Sequence, residues 1–418
     1  MLDFEKPLYW LMGAVVLLFL VTALGTDGAA GSVKGFLALQ QHPARLINDF
    51  TAVGGTGGAL LNAAVMLILS LVIIRVNGVR LSGPTIAAVL TIAGFSLFGK
   101  TPVNALPVVA GVYMAAKLVG KSFSSYILIG LFGTALGPMV TFLVYETGLS
   151  GVPAILAGAA GGVAAGLILP ALAVVILRMH EGYNIYNIGF TAGFLGLFAA
   201  AFLAAAGRDI GIRVIWNDSP GLELVLLVPV LSVLFVIWGL AIDGKKVFLN
   251  LGTLLKQTGR LPSDFVEIAS PGSAPVNAGL LGLAGSIYLL AIGADLNGPV
   301  IGGLLTVIGF ATFGKHLKNC WPVALGVIAG TLIFGKSLTA PGPVLALLFG
   351  TTLAPLAGHF GPLIGFAAGF THLAVVERTA AWHGGMDLYN NGFAGGLTAT
   401  LFVAVIEWVN TNRKNRST

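Results

Sequence analysis

Residues Gly94 to Ser122 read GFSLFGKTPVNALPVVAGVYMAAKLVGKS, and 215 positions on, Gly309 to Ser337 read GFATFGKHLKNCWPVALGVIAGTLIFGKS. Without a gap, Gly94, Phe95, Phe98, Gly99, Lys100, Asn104, Pro107 and Gly111 recur as Gly309, Phe310, Phe313, Gly314, Lys315, Asn319, Pro322 and Gly326. Apolar helices share composition, but they do not share Gly, Lys, Asn and Pro in register. The chain therefore carries two copies of one cationic, glycine-bounded, proline-interrupted segment, and function is sought there first.

The register extends outward. The same offset of 215 aligns Asp49-Phe50 with Asp264-Phe265, Asn62-Ala63 with Asn277-Ala278, and Gly83-Pro84 with Gly298-Pro299. It becomes 217 where Leu131 to Thr134 meets Leu348 to Thr351, and 203 where His180, Gly182, Tyr186, Asn187, Gly189 and Phe190 meet His383, Gly385, Tyr389, Asn390, Gly392 and Phe393. The shifts fall between apolar segments, as loops permit. One unit has been duplicated. The first repeat covers 1–207, a connecting loop 208–221, the second repeat 222–409, and a basic C-terminal tail, expected to be disordered, 410–418.

With 56% hydrophobic and 9% charged residues over 418 positions, the chain is a polytopic membrane protein rather than a set of soluble domains. A net charge of +6 needs no nucleic acid, because the positive-inside rule accounts for it. The single cysteine, Cys320, excludes an intramolecular disulfide and a Cys-rich metal site. The apolar start, Tyr9 to Leu24, is read as a retained first helix, because its repeat partner, Leu224 to Gly239, lies mid-chain.

Each repeat carries seven apolar segments, at roughly 8–26, 57–77, 83–98, 103–119, 124–145, 152–178 and 187–206, then 222–242, 273–293, 298–313, 320–335, 342–360, 361–377 and 391–409. The third and fourth of each repeat are short for a crossing, which takes about 20 residues, and Gly-Lys separates them. They are either crossings or a re-entrant pair of half-helices. Seven crossings, or five plus a hairpin, is an odd count, and an odd unit duplicated must sit in opposite orientations. The expected fold is therefore all-α, with two inverted-topology repeats. With both termini cytoplasmic in a bacterial inner membrane, fifteen of the 22 Lys and Arg residues fall on the inner side. Long connections at 26–56 and 243–272 read as surface loops or interfacial helices without chemistry.

Three paired groups are candidate pathway residues. Lys100 and Lys315 each follow Phe-Gly; at half-helix N-termini their ammonium groups would present positive charge to a central anion or polar solute. Intramembrane ionisable groups are costly enough to be functional by default, whereas at an interface the same lysines simply snorkel. Asn104 with Asn319 and Asn62 with Asn277 offer amide donors and acceptors to a solute, or equally to backbone freed by Pro107 and Pro322. The second pair leans to the structural role, the first to the pathway. Finally, His180 and His383 open HEGYNIYNIGFTAGFLG and HGGMDLYNNGFAGGLTA, where Asn187 and Asn390 follow tyrosines at a polar break. Paired histidines suit proton relay or hydrogen bonding, while Glu181 and Asp387 beside them supply no third ligand for a metal. Glu377-Arg378 has no counterpart in the first repeat and reads as a local ion pair or a point of asymmetry. No Walker sequence, nucleophile elbow, H-E-x-x-H or paired carboxylates within one apolar segment occur.

At Asp49 to Asn62 and along the repeated GFxxFGKxxxNxxPVxxGV, nearly the full chain resembles an uncharacterised family of bacterial polytopic membrane proteins. More distantly, YNIGFTAGFLG and YNNGFAGGLTA resemble the Tyr-Asn-Gly helix entries of the urea transporter family. That resemblance implies short paired half-helices lining a continuous pore, one pore per subunit of a trimer. The longer proline-rich pore motif of that family is missing here, and lysines stand where a neutral-solute filter needs none. The expected function is a transporter or channel for a small polar solute or inorganic ion, with an anion favoured over a urea-like solute, its pathway lying between the halves. It would act in the lipid bilayer without cofactor or nucleic acid, alone or as a homo-oligomer of two or three copies. An intramembrane enzyme or a structural subunit of a membrane complex is the rival reading; unpaired residues such as Glu377, Arg378, Glu181 or Asp387 would then matter most.

Overall fold

The computed structural model describes residues 5–417. In the first half the helices are α1 Glu5–Gln40, α2 Phe50–Val76, α3 Gly83–Phe95, α4 Pro102–Leu118, α5 Ile127–Gly133, α6 Gly137–Tyr145, α7 Gly151–His180 and α8 Asn187–Ala205. In the second they are α9 Leu222–Asp243, α10 Lys246–Leu254, α11 Phe265–Ile268, α12 Ser273–Ile292, α13 Gly298–Ala311, α14 Leu317–Ile333, α15 Pro341–Gly350, α16 Ala354–Phe360, α17 Pro362–Trp382 and α18 Asn390–Ser417. Among the described residues, nine helical stretches are long and apolar enough to cross a membrane, the pairs α5–α6 and α15–α16 each counting as one. Five lie in the first half and four in the second; α17, which carries Glu377 and Arg378, is not among the nine. The protein is a multi-pass membrane protein.

The short helices are short because both ends are capped by sequence. Ser82 with Thr85 and Pro84 starts α3, and Asn297 with Pro299 starts α13. At thirteen residues, α3 is about 20 Å long. The two helices are almost wholly buried and run antiparallel against each other: Thr312 at the end of α13 donates to the carbonyl of Gly83 at the start of α3, and Gly298 abuts Leu97. They cross where Gly94 meets Gly302. A methyl group on either would sit 2.6 Å from the other's carbonyl oxygen, so the approach requires glycine at both.

After the turn at 96–101, α4 leaves α3 and packs on α7, with Gly111 against the carbonyl of Val163 and Gly166 against that of Val108. In the second half α14 packs on α17 through Gly326 and Gly369. The two short helices of each half thus take different partners. The fifth apolar segment of each half, expected as one helix, is broken by a tight turn at Thr134–Leu136 and Thr351–Leu353. Pro138 and Pro355 lie within the first turn of the helix that follows, where a missing N–H is harmless.

One expectation needs correction. Residues 410–417 are not a disordered tail but the end of α18, where Asn412 donates to the Trp408 carbonyl one turn back; Thr418 lies outside the described residues. Within the connecting loop 208–221, Asn217 donates to Thr51 and its backbone N–H to Asp49, while its carbonyl accepts from Asn297.

Candidate functional site

The lysine turns are built from capping boxes. Thr101 and His316 are the N-caps of α4 and α14, and the third helical residue, Asn104 or Asn319, returns its Oδ1 to the N-cap amide at 2.9 Å. Their Nδ2 groups donate to the carbonyls of Gly99 and Gly314, at 2.9 and 3.0 Å. Asn62 and Asn277 brace the same turns from α2 and α12: Asn62 donates to Ser96 and Lys100, Asn277 to Ala311 and Lys315, all carbonyls, at 2.7–2.8 Å. All four amides therefore hold backbone. This fits the structural leaning given to Asn62 and Asn277 and extends it to Asn104 and Asn319. The cap side chains also occupy N-terminal amides of α4 and α14, so each turn offers its ammonium group rather than an open helix end.

Both ammonium groups are buried, Lys100 at 1% exposure and Lys315 at 0%. They face an aromatic core contributed equally by the halves. Tyr186 and Tyr389, equivalent at the offset of 203, stack on each other with centroids 4.7 Å apart. Phe310 flanks Tyr186 at 4.5 Å, and Phe95 flanks Tyr389 at 4.9 Å. Phe132 meets Phe310 at 5.5 Å, and Phe349 meets Phe95 at 5.7 Å. Every contact has its mate with the halves exchanged. Six rings fill the centre of the molecule.

At this core the two lysines part ways. Lys315 donates to the Tyr186 hydroxyl and, at 2.7 Å, to Thr351 Oγ1, with its ammonium 4.4 Å from the Tyr186 ring centre. Lys100 lies 5.2 Å from the Phe95 ring centre, and its charged neighbour is Asp387. The equivalent hydroxyls do not hold it: Thr134 donates to the Leu131 carbonyl just as Thr351 does to that of Leu348 but accepts nothing from Lys100, and the Tyr389 hydroxyl is not bonded to it either.

The histidine motifs fold on themselves. His180 Nε2 lies 3.0 Å from Asn187 Oδ1 and His383 Nε2 3.0 Å from Asn390 Oδ1; their Nδ1 atoms accept backbone N–H groups of Asn184 and Asp387. Asn187 and Asn390 donate to the carbonyls of Ala173 and Val376. These four side chains lock the entries to α8 and α18, which bring the tyrosines to the core. Asn184 donates to the Gly392 carbonyl and accepts from Tyr186 N and the Thr352 hydroxyl. Its equivalent is Asp387, where Oδ1 accepts from Tyr389 N while Oδ2 is buried and without a partner among the described residues; Ala135 stands where Thr352 does.

Glu377 pairs with Lys336 at 2.7 Å rather than with Arg378, a correction to the expected local pair. The long connections also carry more than expected. Asp264 accepts from Gly83 N at the start of α3, and Asp49 lies against Gly298 at the start of α13, so each half caps the other's central helix. Outside the Lys315 turn, Lys256, Gln257, His316, Lys318, Asn319 and His359 line a pocket of about 300 Å³. The residues missed from sequence are Tyr186, Tyr389, Thr351 and Asn184. Tyr186 and Tyr389 were visible as a repeated pair, but only as a break between segments.

A family model matches residues 29–205 and 243–408, the greater part of both halves. The chain belongs to that family, described as protein of unknown function (DUF1576). The DUF1576 match takes in both lysine turns, both tyrosines and all four bracing asparagines. A curated relative, the phospho-N-acetylmuramoyl-pentapeptide-transferase of Shouchella clausii (strain KSM-K16), is 33% identical over 82 residues, covering 20% of this chain. The chain spans about a quarter of that relative's length. No solved structure matches.

Proposed function

We propose that this DUF1576 chain is a transporter or channel for a small inorganic or organic anion, working across a bacterial inner membrane with both termini cytoplasmic. Its halves are read as inverted repeats related by a twofold axis between Tyr186 and Tyr389. The exchange symmetry of the ring contacts supports that relation, and the seven apolar segments that each repeat carries in the sequence, an odd number, support its inversion. The observation that carries the reading is two fully buried lysines, one from each half, on either side of one aromatic core. A buried ammonium without a strong structural demand marks an ion or substrate path. The stacked tyrosines act as the closed barrier between two access routes, and the pocket over the Lys315 turn is the start of one. Alternation would separate the rings and pass the anion from one lysine to the other.

The rival reading, an intramembrane enzyme, draws on the unpartnered Asp387 and on the short similarity to a transferase. A urea-like channel draws on the twofold aromatic core but leaves both lysines without a task. Purified protein in liposomes distinguishes the three by uptake of chloride, nitrate, formate, phosphate, potassium, ammonium and urea. Anion uptake above protein-free liposomes is expected. Uptake of urea alone, or of none of them, contradicts the reading.

A further inference from the structure

The Asn184/Asp387 exchange breaks the symmetry at one buried place. In the first half every polar atom of the Asn184 side chain is used. In the second, Asp387 Oδ2, the Tyr389 hydroxyl and Thr91 Oγ1 are all buried and all lack a hydrogen-bond partner among the described residues. Asp387 is 0% exposed, and the Tyr389 and Thr91 hydroxyls lie within reach of each other, which leaves Asp387 Oδ2 as the atom with nothing opposite it. Buried polar atoms are ordinarily bonded, and a carboxylate oxygen that is buried without a partner calls for an exchangeable occupant. The groups around Asp387 are Lys100 from the turn after α3, His383 through its Nδ1, and Tyr389; α8 presents Gly196 and the 134–136 turn presents Ala135, neither titratable.

We propose that Asp387 is a proton-binding site whose charge acts on Lys100, and that it couples anion movement to protons. The inference rests on the anion-pathway reading. With Asp387 ionised, the Lys100 ammonium and the carboxylate cancel, and the site has no net charge to offer an anion. When Oδ2 takes one proton from water on the accessible side, the pair carries one positive charge and Lys100 is free to hold one univalent anion. Release on the other side returns the anion and the proton together. One proton moves with one anion, and no net charge crosses. Lys315 undergoes no such change, because its ammonium is held by Tyr186 and Thr351 and faces no carboxylate. The halves thus divide the work: one lysine is a standing anion site, the other a switched one.

The test uses two readouts on the full chain in liposomes. The first is independent of transport: an infrared difference spectrum between acid and neutral pH. It should show the carboxylic C=O band of a buried acid, absent in Asp387→Asn. That variant places at 387 the residue the first half carries at 184. In Lys100→Met the same band should persist to a pH about one unit higher or more, because the neighbouring cation no longer favours the ionised form. The second readout is chloride accumulation under an inward proton gradient. One pH unit should drive up to about tenfold accumulation in the unaltered protein. Asp387→Asn should let chloride equilibrate only down its own gradient. An unchanged band in Asp387→Asn overturns the proton site, and proton-driven accumulation surviving in that variant overturns the coupling. Loss of the band with no flux of any anion in the unaltered protein refutes the pathway reading, and the coupling with it, while leaving Asp387 a protonatable group.

Discussion

At Lys315 the ammonium is held between a tyrosine and a threonine of its own surroundings, whereas at Lys100 the equivalent tyrosine and threonine make no such bond and the charge that acts on it is the Asp387 carboxylate, beyond ion-pair contact. The turns share one frame: each has a capping box, and each has a bracing asparagine that reaches the same two carbonyls, while His316 and Asn319 also reach the carbonyls of Gln257 and Thr258. The divergence begins one layer out, at Asn184 against Asp387 and Thr352 against Ala135. Duplication has kept the machinery that positions a lysine and changed what the lysine faces. A conserved frame with differentiated contacts is what an asymmetric task between two similar gates requires.

The comparison extends to the periphery, where it predicts the largest effect. Arg45 and Arg260 are equivalent at the offset of 215 and each stacks over a ring, 4.6 Å from Phe142 and 4.2 Å from Tyr183, but Arg45 is buried in a paired contact with Glu146, whereas Arg260 and its partner Glu181 are both about one-third exposed. Removing one member of a buried pair costs about 3–5 kcal/mol. An exposed pair is worth about 1 kcal/mol or less. Thermal unfolding in detergent should therefore show Arg45→Ala strongly destabilised and Arg260→Ala barely so; equal losses would show that burial does not separate the two.

The bracing asparagines test likeness instead of difference. Asn62→Ala and Asn277→Ala each leave two buried carbonyls unserved, an expected loss of about 2–3 kcal/mol by the same measurement. The two losses should agree within about 0.5 kcal/mol, and a wide gap would break the claim that the turns are equivalent. Gly94→Ala comes next, because its methyl group would lie 2.6 Å from the Gly302 carbonyl; overpacking of that kind costs about 1–3 kcal/mol. The smallest effect is expected from Glu377→Gln, which breaks a part-exposed pair with Lys336 worth about 0–1 kcal/mol and should leave anion flux unchanged. Loss of function there, with both lysine variants silent, would favour a catalytic site built on unpaired residues.

The membrane class was legible in the composition, and the duplication in glycine, lysine, asparagine and proline that recur in register. The capping box was equally present, in Thr101 to Asn104 and His316 to Asn319, but an asparagine near a proline reads as readily as a pathway residue. What could not be read are the contacts across the halves. Asp264 caps α3 from 181 positions away, and no local pattern marks such a pairing. Tyr186 and Tyr389 meet only because two helix entries cross at the centre. The broken helices at 134–136 and 351–353 left a weak sign in Pro138 and Pro355, masked by uniform hydrophobicity.

The most direct measurement is chloride and nitrate uptake into liposomes by the unaltered protein and by the Lys100→Ala, Lys315→Ala double variant, with the folded state of both confirmed by size-exclusion chromatography. The account predicts anion uptake in the first and its loss, by at least about tenfold, in the second, since each buried ammonium contributes more than about 1.4 kcal/mol to holding an anion. Anion uptake that ignores both substitutions would contradict it, and would place any pathway away from the lysine turns.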